Sequence, residues 1–552
     1  MLIKPTIKTT GIWIAALLML WSITLYAQNK KDLGIEHVVV IGFDGLSPDG
    51  LQNANTPTFD KLMQEGAYSL HARAVLPTSS SSNWASMIMG AGPEQHGITS
   101  NAWERDNFTL PAVTQSEEFL FPTIFQLTHD QIASAEIGAI YHWGGFGRLF
   151  EKSAVDYDVS PETEDETAVL ASAYIKNKNP KLTFVHFDHV DHAGHEYGHG
   201  TPKYYKSVEK ADQLLQQVLQ AIAASGLKDK TLIIVSADHG GLGKGHGGES
   251  LKEIEIPFIV WGKGVKKNYK ITHPVYQYDN AATVAFALGL KIPYAWIGKP
   301  ALSAFEAYQI EDGYTLLEQL KEPLISPKAE GYKKAGGLFV ERASLKIENP
   351  NATGTIRYTL DGSLPTKTSK TYEKTIPLTQ NTIVKSAMFR DGKINSPLAE
   401  AFFRIRPKDL KTPVKYEIFY KDHLSFLPAL GSKKPDISGS SYEITSDEIR
   451  DKIKPNTAVR FTANIQVDET KNFRFYLRSD DGSQLFIDNE LVVDNDGDHG
   501  VRTKDGSINL KRGLHSLKVL WFNGGGDGWL DVFVEEGDTV KQILSHPLLI
   551  AN

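Results

Sequence analysis

Asp238 and His239 stand one residue beyond the apolar run T-L-I-I-V-S (Thr231–Ser236), and the glycine-rich loop that follows, G-G-L-G-K-G-H-G-G, brings in His246. A carboxylate with neutral imidazoles is a donor set that suits a zinc-like ion, and the glycines let the backbone turn tightly enough to return His246 toward the first pair. An apolar run without polar alternation suits a central parallel strand covered on both faces, and such strands deliver polar groups at their carboxyl ends. The stretch therefore reads as half of a metal site. Three other stretches offer polar groups at the same kind of position. Asp44 follows H-V-V-V-I-G-F, the hydroxyls of Thr78, Ser79, Ser80, Ser81 and Ser82 follow a strand ending near Leu76, and Asp191 with His195 follows the strand Leu182–Phe187. Asp191 and His195 are four apart, which puts them on one face of a helical turn, although Gly194 would allow the same convergence in a loop. A two-metal site suited to in-line displacement at phosphorus takes about six or seven protein ligands with the ions roughly 4 Å apart. This inventory supplies them, together with hydroxyls at a helix N-terminus, where free backbone N–H groups stabilise a phosphoryl oxygen.

The elements needed to bring these residues together can be read from the same chain. Strands at His37–Phe43, about Tyr68–Leu76, Ala135–Tyr141, Leu182–Phe187, Thr231–Ser236 and Ile256–Trp261 alternate with helices. These begin at Pro57, after Thr56 as N-cap, and continue near Pro122–Leu127, Glu162–Lys176, Tyr204–Ser225 and Asn280–Leu288. That order predicts an α/β domain with a doubly wound, mostly parallel sheet over 28–310. Beyond it the grammar changes. A proline- and lysine-rich linker, 311–329, leads into two all-β modules, a β-sandwich at 330–407 and a β-barrel at 413–550, both with alternating strands and Asp-Gly turns.

A chain of 552 residues exceeds one hydrophobic core, and its net charge of −7 offers no field for a nucleic-acid polymer. The absence of cysteine excludes disulfides and a thiol nucleophile. Residues 1–27, with Lys4 and Lys8 before an apolar stretch and Ala27 before Gln28, fit a signal peptide, with a retained anchor as the rival reading. The expected location is therefore periplasmic or secreted, with no further membrane association.

Four motifs, V-V-V-I-G-F-D-G, P-T-S-S-S-S-N-W-A-S-M-I-M-G-A-G-P-E-Q-H-G-I-T-S-N, D-H-A-G-H-E-Y-G and S-A-D-H-G, resemble the alkaline phosphatase superfamily and most closely its nucleotide pyrophosphatase/phosphodiesterase branch. The resemblance covers about residues 36 to 305 and implies an alkaline phosphatase-like fold with two zinc ions. It implies Ser80 as nucleophile, aligned through Pro77 and Asn83, and Asn101 as a ligand of a phosphoryl oxygen, assisted by the backbone N–H after Ser80. It also implies that Asp191, His195 and His246 hold one zinc, and that Asp44, Asp238 and His239, joined by Ser80, hold the other. His246 departs from the branch pattern by following His239 so closely, and His273 competes for its role. His186, Asp188, His189, His192 and His199 read as supporting or solvated groups, and Tyr141 to Gly145 as a pocket wall or an ordinary turn.

The two β modules resemble a chitobiase C-terminal-type sandwich and a protective-antigen-type barrel. The latter resemblance implies carbohydrate binding and a Ca²⁺ site at Asp480 and Asp481, against the reading of a solvated turn. Together these features predict a phosphoric ester hydrolase acting on a small-molecule or glycan-linked phosphate ester. A sulfatase is disfavoured, because neither Pro nor Arg follows Ser80 in the required positions. A phosphomonoesterase of the same superfamily is the enzymatic rival, disfavoured because no arginine stands near Ser80 in the sequence. The rival from another class is a glycan-binding protein on an inactive phosphatase-like scaffold.

Overall fold

The computed structural model of the chain describes residues 33–310, 313–317, 319–328 and 334–551, so the signal-peptide segment 1–27 and part of the linker lie outside the described residues. Eight strands form the first sheet: β1 (His37–Phe43), β2 (Ala67–Arg73), β3 (Ile137–Tyr141), β4 (Tyr157–Val159), β5 (Leu182–Phe187), β6 (Thr231–Ser236), β7 (Glu255–Gly262) and β8 (Tyr269–Lys270). Their order is β4-β3-β5-β1-β6-β7-β2-β8. The β4 to β6 half is parallel throughout, as the unbroken apolar strands predict, whereas β7 runs antiparallel to both β6 and β2. Strand β1 lies at the centre between β5 and β6, and Val38 to Phe43 are all buried. This is an α/β fold built on a mixed, mostly parallel sheet.

Strand β2 stops at Arg73, short of the expected Leu76. The side chain of Asn83 explains the early end. Its Oδ1 accepts the Val75 N–H at 2.7 Å, and its Nδ2 lies 3.3 Å from the Val75 carbonyl, so the backbone groups a neighbouring strand would use are taken. The helix Pro57–Glu65 begins where Thr56 and Pro57 predict, but Thr56 makes no side-chain capping bond. Asp212, from the long helix Pro202–Ala224, caps it instead, one carboxylate oxygen accepting the N–H groups of Thr58 at 2.8 Å and Phe59 at 3.0 Å. Asp212→Ala would leave both donors unsatisfied in a buried setting and is expected to cost about 1–2 kcal/mol, read as a lowered denaturation midpoint of this domain.

Two packed β units follow. The sandwich joins a six-stranded and a three-stranded sheet around Leu345, Val384, Met388 and Phe403. It begins earlier than residue 330, because Leu324–Ser326, assigned by sequence to the linker, pairs antiparallel with Ala343–Glu348. The last unit stacks a seven-stranded on a four-stranded antiparallel sheet around Phe461, Phe475 and Trp521. The two β units are locked to each other. Arg404 of the sandwich reaches Glu443 at 2.7 Å and Asp531 at 2.6 Å across the interface, all three nearly inaccessible, beside an apolar cluster of Ile383, Phe402, Phe533 and Ile543. Among the described residues no helix is long and apolar enough to cross a membrane.

Candidate active site

Because β5, β1 and β6 are neighbours in the sheet, their carboxyl ends place Asp191, Asp44 and Asp238 side by side. Close approach is possible only because residue 45 lacks a side chain. Gly45 has φ +68°, and a Cβ there would lie 2.7 Å from the Cα and Cβ of Asp191. The D-x-x-x-H spacing resolves as a helix, His189–Tyr197, with His195 Nε2 3.1 Å from Asp191 Oδ2. Asp44, Asp238 and His239 converge with one ligand atom each within 4.8 Å of one another, and so do Asp191, His239 and His246. A third such group joins Asp44 to His186 and Asp188, two residues that sequence reasoning treated as bystanders. His195 flanks the second group, its ring 5.0 Å from that of His246. His273 belongs to none of these groups among the described residues.

The imidazoles are oriented alike. Nδ1 of His195 donates to the Lys244 carbonyl, Nδ1 of His239 to the Gly240 carbonyl and Nδ1 of His246 to the Thr78 carbonyl, each at 2.8 Å. Those bonds direct all three Nε2 atoms toward the carboxylates, the arrangement in which a histidine ligates a cation. Electrostatics at the site follow from crowding. Burial and then the neighbouring Asp238 push Asp44 up to about 7. Burial works against protonation of His239, but Asp238, Asp44 and Asp191 outweigh it and hold its pKa at about 10. His195 is raised to about 9, chiefly by Asp191, whereas burial and His239 lower His246 to about 3.

Five adjacent hydroxyls are sorted by their partners. Thr78 Oγ1 donates to the Gly248 carbonyl, Ser79 and Ser82 lie 3.0 Å from each other, and Ser81 Oγ accepts from Arg148 at 2.8 Å. Ser80 alone faces the imidazole cluster, with Oγ 3.3 Å from His239 Nε2 at the first position of the helix Ser80–Met89. Asn83 ties the turn together through the carbonyls of Pro77 and Ser79. Asn101 is close by, but its partnership differs from expectation. Its Oδ1 accepts the Ser81 N–H at 2.8 Å, so that donor is engaged, and the pairing leaves the Asn101 amide NH₂ as the group open to an incoming oxygen.

Arg148 was not legible in sequence, because it lies 67 residues from Ser81 and in no motif. Its guanidinium donates to Ser81 Oγ and, at 2.6 Å, to the Asn101 carbonyl, while a second nitrogen pairs with Glu104 at 3.1 Å. The sequence around Ser80 carries no arginine, but the loop after β3 brings Arg148 to the neighbouring Ser81 and Asn101. Trp84 was also missed. It packs against Gly42 and donates Nε1–H to Asp44 Oδ2 at 2.9 Å.

Residues 38–243 match the family model described as Type I phosphodiesterase / nucleotide pyrophosphatase. The α/β domain is similar to that family. The chain is 23% identical over 228 residues to the bis(5'-adenosyl)-triphosphatase of Mus musculus, covering 40% of this chain and 50% of that protein. It is 26% identical over 218 residues to ectonucleotide pyrophosphatase/phosphodiesterase family member 3 of Rattus norvegicus, covering 37% of this chain and 24% of the relative. It thus spans about half the length of the first curated relatives it matches. Among solved structures, murine ectonucleotide pyrophosphatase/phosphodiesterase 5 aligns at 16% identity and a TM-score of 0.41, over 47% of this chain and 96% of that one. Residues 334–400 match the chitobiase/beta-hexosaminidase C-terminal domain and residues 410–539 the PA14 domain.

The donor set of the α/β domain fits divalent metal. Among the described residues Asp44 Oδ1, Asp191 Oδ1 and Asp238 Oδ2 are buried without a hydrogen-bond donor; they face imidazole Nε2 atoms, those of His239 at 3.5 Å from Asp44 and 3.1 Å from Asp238 and of His199 at 3.7 Å from Asp191, and such oxygens are costly unless a cation or proton compensates them. Stripping divalent metal with a chelator is expected to lower the thermal midpoint of this domain by about 5 °C or more, and zinc to restore it. A midpoint indifferent to both treatments would count against metal at these residues.

Proposed function

We propose that this chain is an exported zinc-dependent phosphoric ester hydrolase that acts on diesters through Ser80. The observation that carries this reading is the cluster of Asp44, Asp191 and Asp238, whose carboxylate oxygens lack hydrogen-bond donors among the described residues and which together with three inward-facing imidazoles surround the Ser80 hydroxyl. In this reading Asp44, Asp238, His239 and Ser80 hold one ion and Asp191, His195 and His246 the other. When bound, two divalent cations supply Lewis acidity that favours the ionised serine and offsets charge on the leaving oxygen.

The chain's own groups do the rest. Ser80 Oγ attacks phosphorus in line, the Oγ–P bond forms, and the bond to the leaving alcohol breaks. Its position at a helix N-terminus puts the phosphoryl oxygens against the positive end of the helix dipole. The Asn101 amide NH₂ donates to one of those oxygens, and Arg148 holds the Asn101 loop in place through its carbonyl. A water then attacks from the opposite side and frees Ser80, so the two displacements together retain configuration at phosphorus. Asp480 and Asp481 of the PA14 domain are assigned to a Ca²⁺ ion.

Arg148 favours a second reading, a phosphomonoesterase, because a guanidinium bonded to the residue next to the nucleophile can clamp a dianion. Zinc-loaded protein assayed with bis(p-nitrophenyl) phosphate and p-nitrophenyl phosphate separates the two. The diester is expected to give the larger kcat/KM. A reversed ratio that collapses in Arg148→Ala would favour the monoesterase, and fully loaded protein inert toward both esters would overturn hydrolysis altogether.

A further inference from the structure

The sandwich and the barrel leave a cavity of about 350 Å³ between them, mouth included. Ile383, Phe402 and Phe533 give it an apolar floor, and charged groups make up most of the rest of its wall. The sandwich contributes Lys385 and Glu400, which stand opposite each other on the antiparallel strands Thr382–Arg390 and Ala399–Arg406. The barrel contributes Arg478, Lys541 and Thr503, which stands directly across the sheet from Arg478. Lys334 reaches Glu400 from the start of the strand Ala335–Val340, which runs parallel beside Ala399–Arg406. The wall is thus complete only when both units are in place.

Four cations crowd round one carboxylate. Glu400 lies 3.6 Å from Lys334, 3.8 Å from Lys385 and 3.5 Å from Arg478. Each distance exceeds the roughly 2.7–2.9 Å of a well-made charge-assisted hydrogen bond, so the donors of these cations are poorly filled. Lys541 makes no ion pair among the described residues, and its ammonium lies 5.1 Å from the centre of the Tyr476 ring and 5.2 Å from that of Phe533. Other acids nearby are engaged elsewhere, Asp531 with Arg404, Asp361 with Ser363 and Glu535 with Tyr476, while Glu322 acts on Lys334 only at longer range. Burial lowers the pKa of both Lys334 and Lys541, and Arg478 adds to the effect at each. Positive charge taken out of water without matching negative charge is costly, and an anion in the cavity offsets that cost. Ammonium groups, a guanidinium fork and a hydroxyl arranged around a small space form a donor set that suits phosphate or sulfate oxygens.

We propose that this cavity binds a tetrahedral oxyanion of the phosphate and sulfate class, free or as the terminal ester group of a sugar, and that the bound anion ties the sandwich to the barrel. Arg478 and Lys541 hold it from the barrel, Lys385 and Lys334 from the sandwich. Glu400 keeps the cations together when the cavity is empty and opposes the anion when it is filled. The site shares no residue with the Ser80 centre and does not depend on the reading of that centre.

The test uses the full zinc-loaded chain at low ionic strength, where screening is weak, with sodium sulfate and glucose 6-sulfate as probes. Calorimetry reads binding, and hydrolysis of bis(p-nitrophenyl) phosphate reports separately on the Ser80 centre. Sulfate is expected to bind saturably, and Lys541→Gln and Lys385→Gln should each weaken it about ten-fold or more while leaving diester turnover unchanged. Glu400→Gln has the opposite sign. It removes the one opposing carboxylate and should tighten sulfate binding about five-fold or more, a gain that a purely structural role for these residues would not produce. Thr503→Val, at an exposed position, should weaken binding by a smaller factor, and it covers the case in which a lysine variant fails to fold. Glucose 6-sulfate binding as tightly as sulfate identifies an ester group as the ligand, and weaker binding or none identifies the free anion. Absence of saturable sulfate binding, or binding that competes with the diester and ignores all these variants, overturns the proposal.

Discussion

Ser80→Ala is expected to lower kcat on an activated diester by about 10⁴-fold or more while leaving zinc bound, because it removes the attacking atom and leaves the carboxylates and imidazoles in place. Neighbouring hydroxyls cannot substitute. Ser81 is held by Arg148, Ser79 and Ser82 are held by each other, and Thr78 is bonded to the Gly248 carbonyl. Loss of activity together with unchanged metal content and unchanged thermal midpoint separates loss of the nucleophile from loss of the site. The assignment fails if Ser80→Ala stays within ten-fold of wild type while a neighbouring serine variant loses turnover. Asp238→Asn provides the complementary pattern. Asp238 Oδ1 already accepts the N–H groups of Gly45 and His239, so the amide would also disturb the turn and should reduce both metal content and activity.

The second large effect lies far from the chemistry. Arg404 pairs with both Glu443 and Asp531, and although Arg478 stands across the sheet from Asp531, one guanidinium shared between two buried carboxylates does not neutralise both. Burial accordingly pushes Glu443 up to about 7 and Asp531 to about 6, despite the pairing. Arg404→Met would leave two buried like charges facing each other and is expected to cost about 3–5 kcal/mol, read at neutral pH as a lowered midpoint of the C-terminal transition. The pH dependence has a definite sign. Both carboxyls have folded pKa values above the unfolded value of about 4, so the folded state binds more protons between these limits. Their contribution to stability is present below the unfolded pKa and is lost as pH rises through about 6 to 7. In Arg404→Met this loss should steepen, so the variant approaches wild type at pH 5 and falls furthest behind at pH 8. Adding Glu443→Gln and Asp531→Asn should recover most of the difference. A variant whose deficit does not change with pH would exclude buried charge as the cause. Because this triad joins the sandwich to the barrel, the same experiment reports on the contact that holds the two β units together.

Much of the site was legible because local rules fix it. Runs such as Val38–Val39–Val40–Ile41 can only be buried central strands, and parallel strands must present Asp44, Asp191 and Asp238 at one edge of the sheet. The i, i+4 spacing of Asp191 and His195 needs only a helix to become a contact. By contrast, Arg148, Trp84 and Asp212 act across long sequence separations on partners that no spacing names. The Asn101 amide shows the limit well. Its place near Ser80 was expected from the family register, but the Ser81 N–H is engaged with its oxygen rather than free for substrate, and only the tertiary structure decides which donor is left.

The sequence by itself therefore determined the α/β architecture, the ordering of its strands and loops, the chemical type of each candidate ligand, and the change to all-β modules, because periodicity, turn residues and side-chain chemistry are local properties. Tertiary structure decided the antiparallel insertion of β7, the early end of β2, the hydrogen-bond partner of each of the five hydroxyls, the arrival of Arg148, and the contact of Gly500 and Gly526 with the His246 loop. Those features depend on which distant backbone and side-chain groups find one another once the domains pack. That is settled by the packing of the whole chain rather than by any stretch of it.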